Sequence, residues 1–341
     1  KVIVCDDVLY QQSKKVGSKS AAMDVINGRM SLMEKYVNHP AFYGFSLEDE
    51  PEPNSVFTGS EMESVGIMVQ ALKETCASLG YSKANGNQPF FLACLYQYAS
   101  GFEDFGAIVG YEDYLKDWFN GTSLDYVYID LYTGHAMGDK TNRYEMTYDV
   151  LYGSGTNGIL GEDKEFFQVI TAHTQNKDKT GVLTEADLYM SMLYAAAHNV
   201  AGYSWFCYFP IIGETAGSMV GFDGNGYGNG SGNSASGSYY NAAKTAGYQY
   251  ELIQGVLNGY KLKSRSYSNN LLTTTLTKSG AGNITMYVNA DTMSVLSPVD
   301  VSASGSVCYL VGIGVGTVDA PYQVVSGNIT LQPGQAVICV A

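Results

Sequence analysis

The stretch Tyr43-Gly44-Phe45-Ser46-Leu47-Glu48-Asp49-Glu50-Pro51 decides the fold. Its apolar part, residues 41–47, is short and nearly continuous, and it runs into three carboxylates and a proline. A strand buried on both faces has this form, with a polar loop after its carboxyl end. Five more runs share it: 2–5 (VIVC), 89–95 (PFFLACL), 125–131 (DYVYIDL), 166–172 (FFQVITA) and 201–207 (AGYSWFC). Helical patterns lie between the runs. One extends from about Thr58 to Leu79, with Met62, Val65, Val69, Leu72 and Cys76 on one face and Gly80 as its stop. A second opens at Thr184, with Asp187 at capping-box spacing, and a third covers about Tyr239 to Leu257. Strands alternating with helices predict an α/β fold, a parallel sheet covered by helices.

Eight such strands close a (β/α)8 TIM barrel. Six are visible over residues 1–260, so the expectation is a barrel whose first two βα units are absent from this chain. The start at Lys1-Val2-Ile3-Val4-Cys5, already inside a strand pattern and without Met, agrees with that expectation. From Lys261 onward the pattern changes to alternating runs at 271–277, 283–289, 298–302, 307–312, 322–325 and 328–340. The turn residues Ser279-Gly280-Ala281-Gly282, Ala303-Ser304-Gly305-Ser306 and Pro333-Gly334 separate them. This predicts a C-terminal antiparallel β-sandwich over 261–341. The Gly/Ser/Asn-rich residues 224–238 have the composition of a long surface loop.

Composition narrows the partners. Of 341 residues, 45% are apolar and only 15% charged, and the net charge is -14. With 19 Lys+Arg against 33 Asp+Glu, the chain is unsuited to a phosphate array, which argues against nucleic acid and anionic membranes. No apolar run reaches the length of a membrane span. Cys5, Cys94 and Cys207 sit in apolar strand runs and Cys76 on a helical face, where free Cys behaves as a small core hydrophobe. There is no C-x-x-C and no zinc-ligand spacing, so no metal or cofactor is expected. Cys308 and Cys339 fall in the C-terminal strands and are candidates for pairing.

In a barrel, function sits on the loops after the strands' carboxyl ends. The residues there are Asp6 and Asp7; Glu48, Asp49 and Glu50; Tyr96 and Gln97; Asp130 and Tyr132; His173 and Gln175; and Trp205 and Tyr208. Three consecutive carboxylates resist joint ionisation, which raises at least one pKa. A raised carboxyl pKa is what a general acid needs. The plainer alternative is a solvated acidic loop that begins a turn at Pro51.

The segment from His39-Pro40-Ala41-Phe42-Tyr43-Gly44-Phe45 through Asp49-Glu50-Pro51 resembles the fourth-strand motif of clan A glycoside hydrolases. The order of further motifs extends the resemblance to a bacterial group of glycoside-hydrolase-like barrels with an Asp-Glu-Pro signature. Leu124 to Tyr132 resembles their sixth strand, and Thr184 to Leu188 with Ala195 to Phe206 their seventh helix and eighth strand. Leu331-Gln332-Pro333-Gly334-Gln335 resembles the closing turn of their β-sandwich. The resemblance implies a carbohydrate substrate and Glu50 as acid/base. It also suits a secreted or cell-surface bacterial protein, as does the acidic, lysine-poor composition.

One departure bears on mechanism. The nucleophilic Glu of the clan ends its seventh strand, whereas the matching run here ends in Ala172-His173-Thr174-Gln175, and Glu165 lies at its opposite end. Two routes dispense with that nucleophile. In substrate assistance the sugar's 2-acetamido group attacks the anomeric carbon, and Asp49-Glu50 resembles the Asp-Glu pair of hexosaminidases that work this way, family 123 among them. In inversion Glu50 is the acid and Asp130 the base, roughly 6.5–9.5 Å apart. Tyr96, Tyr132, Trp205 and Tyr208 are candidates to stack on sugar rings, and His173, Gln175 and Glu48 to bind hydroxyls. Two other classes stay open: a non-catalytic carbohydrate-binding protein on the same barrel, and a cation site built on Glu48, Asp49 and Asp130.

Overall fold

A computed structural model describes residues 2–51, 60–96, 110–124, 126–133, 142–155, 157–160, 165–171, 184–206, 234–291, 297–317 and 319–341. The chain forms two compact units: Lys1–Asp130 with Asp163–Phe167, and Leu131–Glu162 with Gln168–Ala341.

The first unit holds β1 (Val2–Val4), α1 (Asp7–Ser13), α2 (Lys19–Gly28), α3 (Met30–Val37), β2 (Phe42–Asp49), α4 (Ser60–Ser78), β3 (Phe90–Leu95), α5 (Tyr111–Thr122) and β4 (Tyr126–Leu131). Strands β1, β2, β3 and β4 are neighbours in that order, and each adjacent pair is parallel. The strand β5 (Glu165–Thr171) begins beside β4. Each of these strands falls on an apolar run. Val65, Val69, Leu72 and Cys76 of α4 are fully buried, as their helical spacing requires. Gly66 brings α4 against α5, because a Cβ there would lie 2.6 Å from the Gly121 carbonyl. Asp6 caps α1, accepting from the Val8 and Leu9 amides at 3.1 and 3.2 Å. Arg29 and Tyr36 also hold its carboxylate, at 2.6 and 3.2 Å.

Aromatic rings line the strand starts. Tyr43, Phe90, Tyr126 and Phe167 make a row across β2 to β5, with successive centroids 4.4, 4.6 and 5.5 Å apart. Phe45 and Phe91 lie on the other face, and Phe45 packs against Tyr36 of α3. Because side chains alternate along a strand, Cys94 shares the face of Phe90, and Asp130 that of Tyr126.

The second unit contains α6 (Arg143–Tyr152), the rest of β5, α7 (Glu185–Ala197), β6 (Gly202–Phe206) and α8 (Ser234–Leu257). It continues with β7 (Lys261–Ser268), β8 (Leu271–Thr277), β9 (Ile284–Asn289), β10 (Val299–Gly312), β11 (Gln323–Leu331) and β12 (Gln335–Val340). Here β5 pairs with β6. The capping box of α7 is formed in both directions between Thr184 and Asp187. Every α7 residue from Ala186 to Ala197 is buried, because the helix packs against α8 and also against β8, β9, β10 and β12. The Pro333-Gly334 turn seats on its first turn: a Cβ at Gly334 (φ +74°) would meet the Ala186 carbonyl at 2.8 Å. Gln249 of α8 is fully buried and exchanges hydrogen bonds with the Gly312 backbone, at 2.9 and 3.3 Å.

Arg265 of β7 is 7% exposed and enters a polar pocket of this unit. Its guanidinium binds Glu145, Asp149 (3.3 Å) and the Gly153 carbonyl (3.1 Å), and its Nε–H donates to His198 Nε2 at 3.0 Å. The His198 ring therefore carries its proton on Nδ1, which donates to the Tyr194 carbonyl at 2.8 Å. Burial first, and then the charge of Arg265, hold His198 well below its ordinary pKa, so it is neutral.

The C-terminal strands depart from the expected pattern. They form one six-stranded antiparallel sheet, ordered β11-β10-β12-β9-β8-β7, where a sandwich would have two. The segment Ala303-Ser304-Gly305-Ser306 is no turn; it lies inside β10, at a register shift between Ala303 and Cys308. Gly327 (φ +80°) likewise lies within β11. The bulged strand carries Val301, Ala303 and Cys308 into one core with Leu331, Val337 and Cys339. Strand β7 has no counterpart among the expected runs, because a bulge between Leu262 and Ser264 breaks its alternation and its second buried residue is Arg265.

Candidate active site

The carboxyl end of β2 is set by a bulge. Phe45 and Ser46 stand opposite Phe91 and Leu92 of β3, but Glu48 and Asp49 stand opposite Ala93 and Cys94, so Leu47 is an extra residue. The extra residue shifts the alternation by one. Glu48 consequently leaves the face of Cys94, and Asp49 takes its place there.

Glu48 is fully buried and paired to Lys14 at 2.5 Å. Its Oε1 also accepts the Asp49 amide at 2.8 Å, while Oε2 is buried with no hydrogen-bond partner among the described residues. Burial raises its pKa, and Lys14 and the Asp49 amide pull it back. Glu48 thus anchors the strand end to α1 and stands apart from the group that Asp49 joins.

That group is Asp49, Glu50, Cys94 and Asp130. One ligand atom each of Asp49, Cys94 and Asp130 lie within 4.8 Å of one another. The Cys94 thiol donates to Asp130 Oδ1 at 3.0 Å. Burial, then the charge of Asp130, push the thiol pKa well up, so it stays protonated and holds that bond. Burial also raises Asp49. Glu50 follows directly, its amide donating to the Cys94 carbonyl at 2.8 Å and its backbone left-handed at φ +47°. Burial, Asp130 and Asp49, in that order, push the Glu50 carboxyl up to about 7. Near neutral pH the site therefore offers a proton-donating Glu50 beside two further carboxyl groups. Asp49, Cys94 and Asp130 are also the described group able to present three metal ligands, provided the thiol gives up its proton.

Tyr114 of α5 ties down the chain around this group. Its buried hydroxyl donates to the Pro51 carbonyl at 3.1 Å and accepts the Tyr96 amide at 3.4 Å. The backbone after β2 and the backbone after β3 are thus fixed to one phenol. Tyr96 is half-buried, and its carbonyl accepts from Tyr111 at 2.9 Å. In the second unit Tyr132 is buried, and Trp205 is half-buried with its ring edge-on to Tyr203 at 5.3 Å. His173, Gln175 and Tyr208 lie outside the described residues.

The sequence reading assigned Cys94 to the core and did not single out Lys14 or Tyr114. Cys94 carries no local signal, since its partner Asp130 is 36 residues on. Lys14 carries none either, since Lys15 follows it directly and two helices separate it from the three carboxylates.

No known family's sequence model matches the chain. No curated protein matches it either. Among solved structures it is similar to a family 39 glycoside hydrolase from the gut symbiont Bacteroides cellulosilyticus WH2, at 12% identity and a TM-score of 0.49, covering 99% of this chain and 66% of that one. A family 27 β-L-arabinopyranosidase from Geobacillus stearothermophilus is similar at 11% and 0.46, covering 95% and 63%. A conserved exported protein from Bacteroides fragilis is similar at 13% and 0.46, covering 95% and 69%. The chain spans less than two thirds of the length of the first two. Likeness this remote carries no chemistry across, so the site is read from its own residues. Among the described residues no helix is long and apolar enough to cross a membrane.

Proposed function

We propose that the chain is a glycoside hydrolase of polysaccharides or glycans with Glu50 as its general acid. One observation supports this above others: Glu50, Asp49 and Asp130 meet at the carboxyl ends of parallel strands, and burial, then the charges of Asp130 and Asp49, lift Glu50 to about 7. A glycosidic general acid must hold its proton near neutral pH and release it to the leaving oxygen.

In the substrate-assisted route Glu50 protonates the glycosidic oxygen as the C–O bond breaks. The carbonyl oxygen of a 2-acetamido group bonds to the anomeric carbon, and Asp49 accepts that group's N–H. Water then attacks the same carbon, the Glu50 carboxylate takes its proton, and the acetamido group is regenerated. The inverting route instead has Asp130 take the proton of the attacking water. Residues 1–260 are the proposed catalytic barrel, with 261–341 as an accessory domain packed on its last helices, in a secreted or cell-surface protein.

The test is hydrolysis of an aryl-glycoside panel that includes β-N-acetylhexosaminides. The expected result is release that Glu50→Gln lowers by about 10²–10⁴-fold. Release confined to 2-acetamido sugars and lost in Asp49→Asn assigns substrate assistance. Release from plain hexosides and lost in Asp130→Asn assigns inversion. No release from any member by a cooperatively folded protein overturns the proposal in favour of a carbohydrate-binding role.

A further inference from the structure

Cys308 and Cys339 stand directly opposite each other on β10 and β12, neighbouring interior strands of the antiparallel sheet. Both are buried, 2% and 3% exposed, in the apolar core with Val301, Ala303, Leu331 and Val337. Their Sγ atoms are 2.6 Å apart. Non-bonded carbon-sized atoms settle at roughly 3.5–4.0 Å, and a disulfide joins its sulfurs at about 2.05 Å. The two sulfurs are thus nearer to a bond than to a contact. Their apolar surroundings suit neither a metal nor a nucleophilic role, and Cys94 is already engaged by Asp130.

We infer that Cys308 and Cys339 form a cross-strand disulfide in the mature protein. The oxidant is a small-molecule disulfide such as oxidised glutathione. One cysteine loses its proton and attacks that disulfide, expelling one glutathione thiolate and leaving a mixed disulfide. The second cysteine loses its proton and attacks the protein sulfur of the mixed disulfide, expelling the other glutathione thiolate. The two protons end on the two glutathiones; two protein thiols are oxidised and one disulfide is reduced.

Burial sets the timing. Desolvation, then Cys308, push the Cys339 thiol up to about 12, so the closed sheet holds little thiolate to react. The bond forms while β10 and β12 are still open to solvent, and the closed sheet then shields it from reductants. It closes a loop of 31 residues around β11 and fastens β10 to β12. Such a bond persists in an oxidising compartment.

The test is to refold the full chain in a glutathione redox buffer, check cooperative folding, denature without reductant, and alkylate with iodoacetamide. Of six cysteines, two are withheld, so intact mass is expected to show four added groups, rising to six after prior reduction. Peptide mapping is expected to find the Cys308 and Cys339 peptides joined. Six added groups without reduction, or a link between any other pair, overturns the inference.

Discussion

Glu50 combines two costs, a left-handed backbone at a non-glycine residue and a carboxyl group raised to about 7. Conformations of that kind cost about 1–3 kcal/mol and persist where the surroundings enforce them; here the Cys94 carbonyl and the bulge before it do so. The raised pKa has a definite sign. Between about 4.5 and about 7 the folded protein holds a proton on Glu50 that the unfolded chain has released, so this group's contribution to stability falls as pH rises. Glu50→Gln is therefore expected to raise the urea midpoint relative to the parent at pH 8 and to leave it nearly unchanged at pH 4. Activity follows the same ionisation. If Glu50 is the acid, kcat/KM falls about tenfold per pH unit above pH ~7, and a pH–rate profile flat to pH 9 rules it out.

At the level of elements, Arg265 and Gly334 hold the antiparallel sheet to the helices of its unit. Arg265→Met leaves Glu145 half-buried without its cation, beside Tyr194. Removing one partner of a buried pair costs about 3 kcal/mol or more, so the denaturation midpoint of this variant is expected to drop well below that of a surface Lys→Met control. Gly334→Ala drives a Cβ into the Ala186 carbonyl at a left-handed position, and a loss of over ~1 kcal/mol is expected by the same measurement. The parallel strands were legible because a doubly buried strand must be apolar along its length, and β2, β3 and β4 announce themselves in that way. The capping box of α7 was legible because both of its partners lie within one turn. The bulge at Leu47 was not, since nothing local distinguishes Leu47 from Glu48 as the inserted residue; so the sequence placed Glu48 with the candidate site and passed over Cys94. Strand β7 was hidden for the related reason that its buried arginine is paid for by residues more than 60 positions away.

Across the whole chain, two buried groups titrate in opposition. Glu50, in the first unit, contributes less stability as pH rises toward 7, while His198, in the second, stays neutral in the fold as the unfolded chain's imidazole takes up a proton below about 6.5, so its contribution falls as pH falls. Their slopes cancel in part, so the parent is expected to show a shallow stability profile from pH 5 to 7, and Glu50→Gln a steeper rise over the same range. The net charge of -14 adds its own dependence on salt, which comparison at fixed ionic strength removes. The all-round burial of α7 has a consequence for how such chains are cut and recombined. A break after residue 260 removes β8, β9, β10 and β12 from one side of that helix and leaves its apolar residues facing water. The smallest piece that can be exchanged between related proteins is then not the sheet alone but the sheet together with α7 and α8, and grafts that respect this boundary are the ones expected to fold.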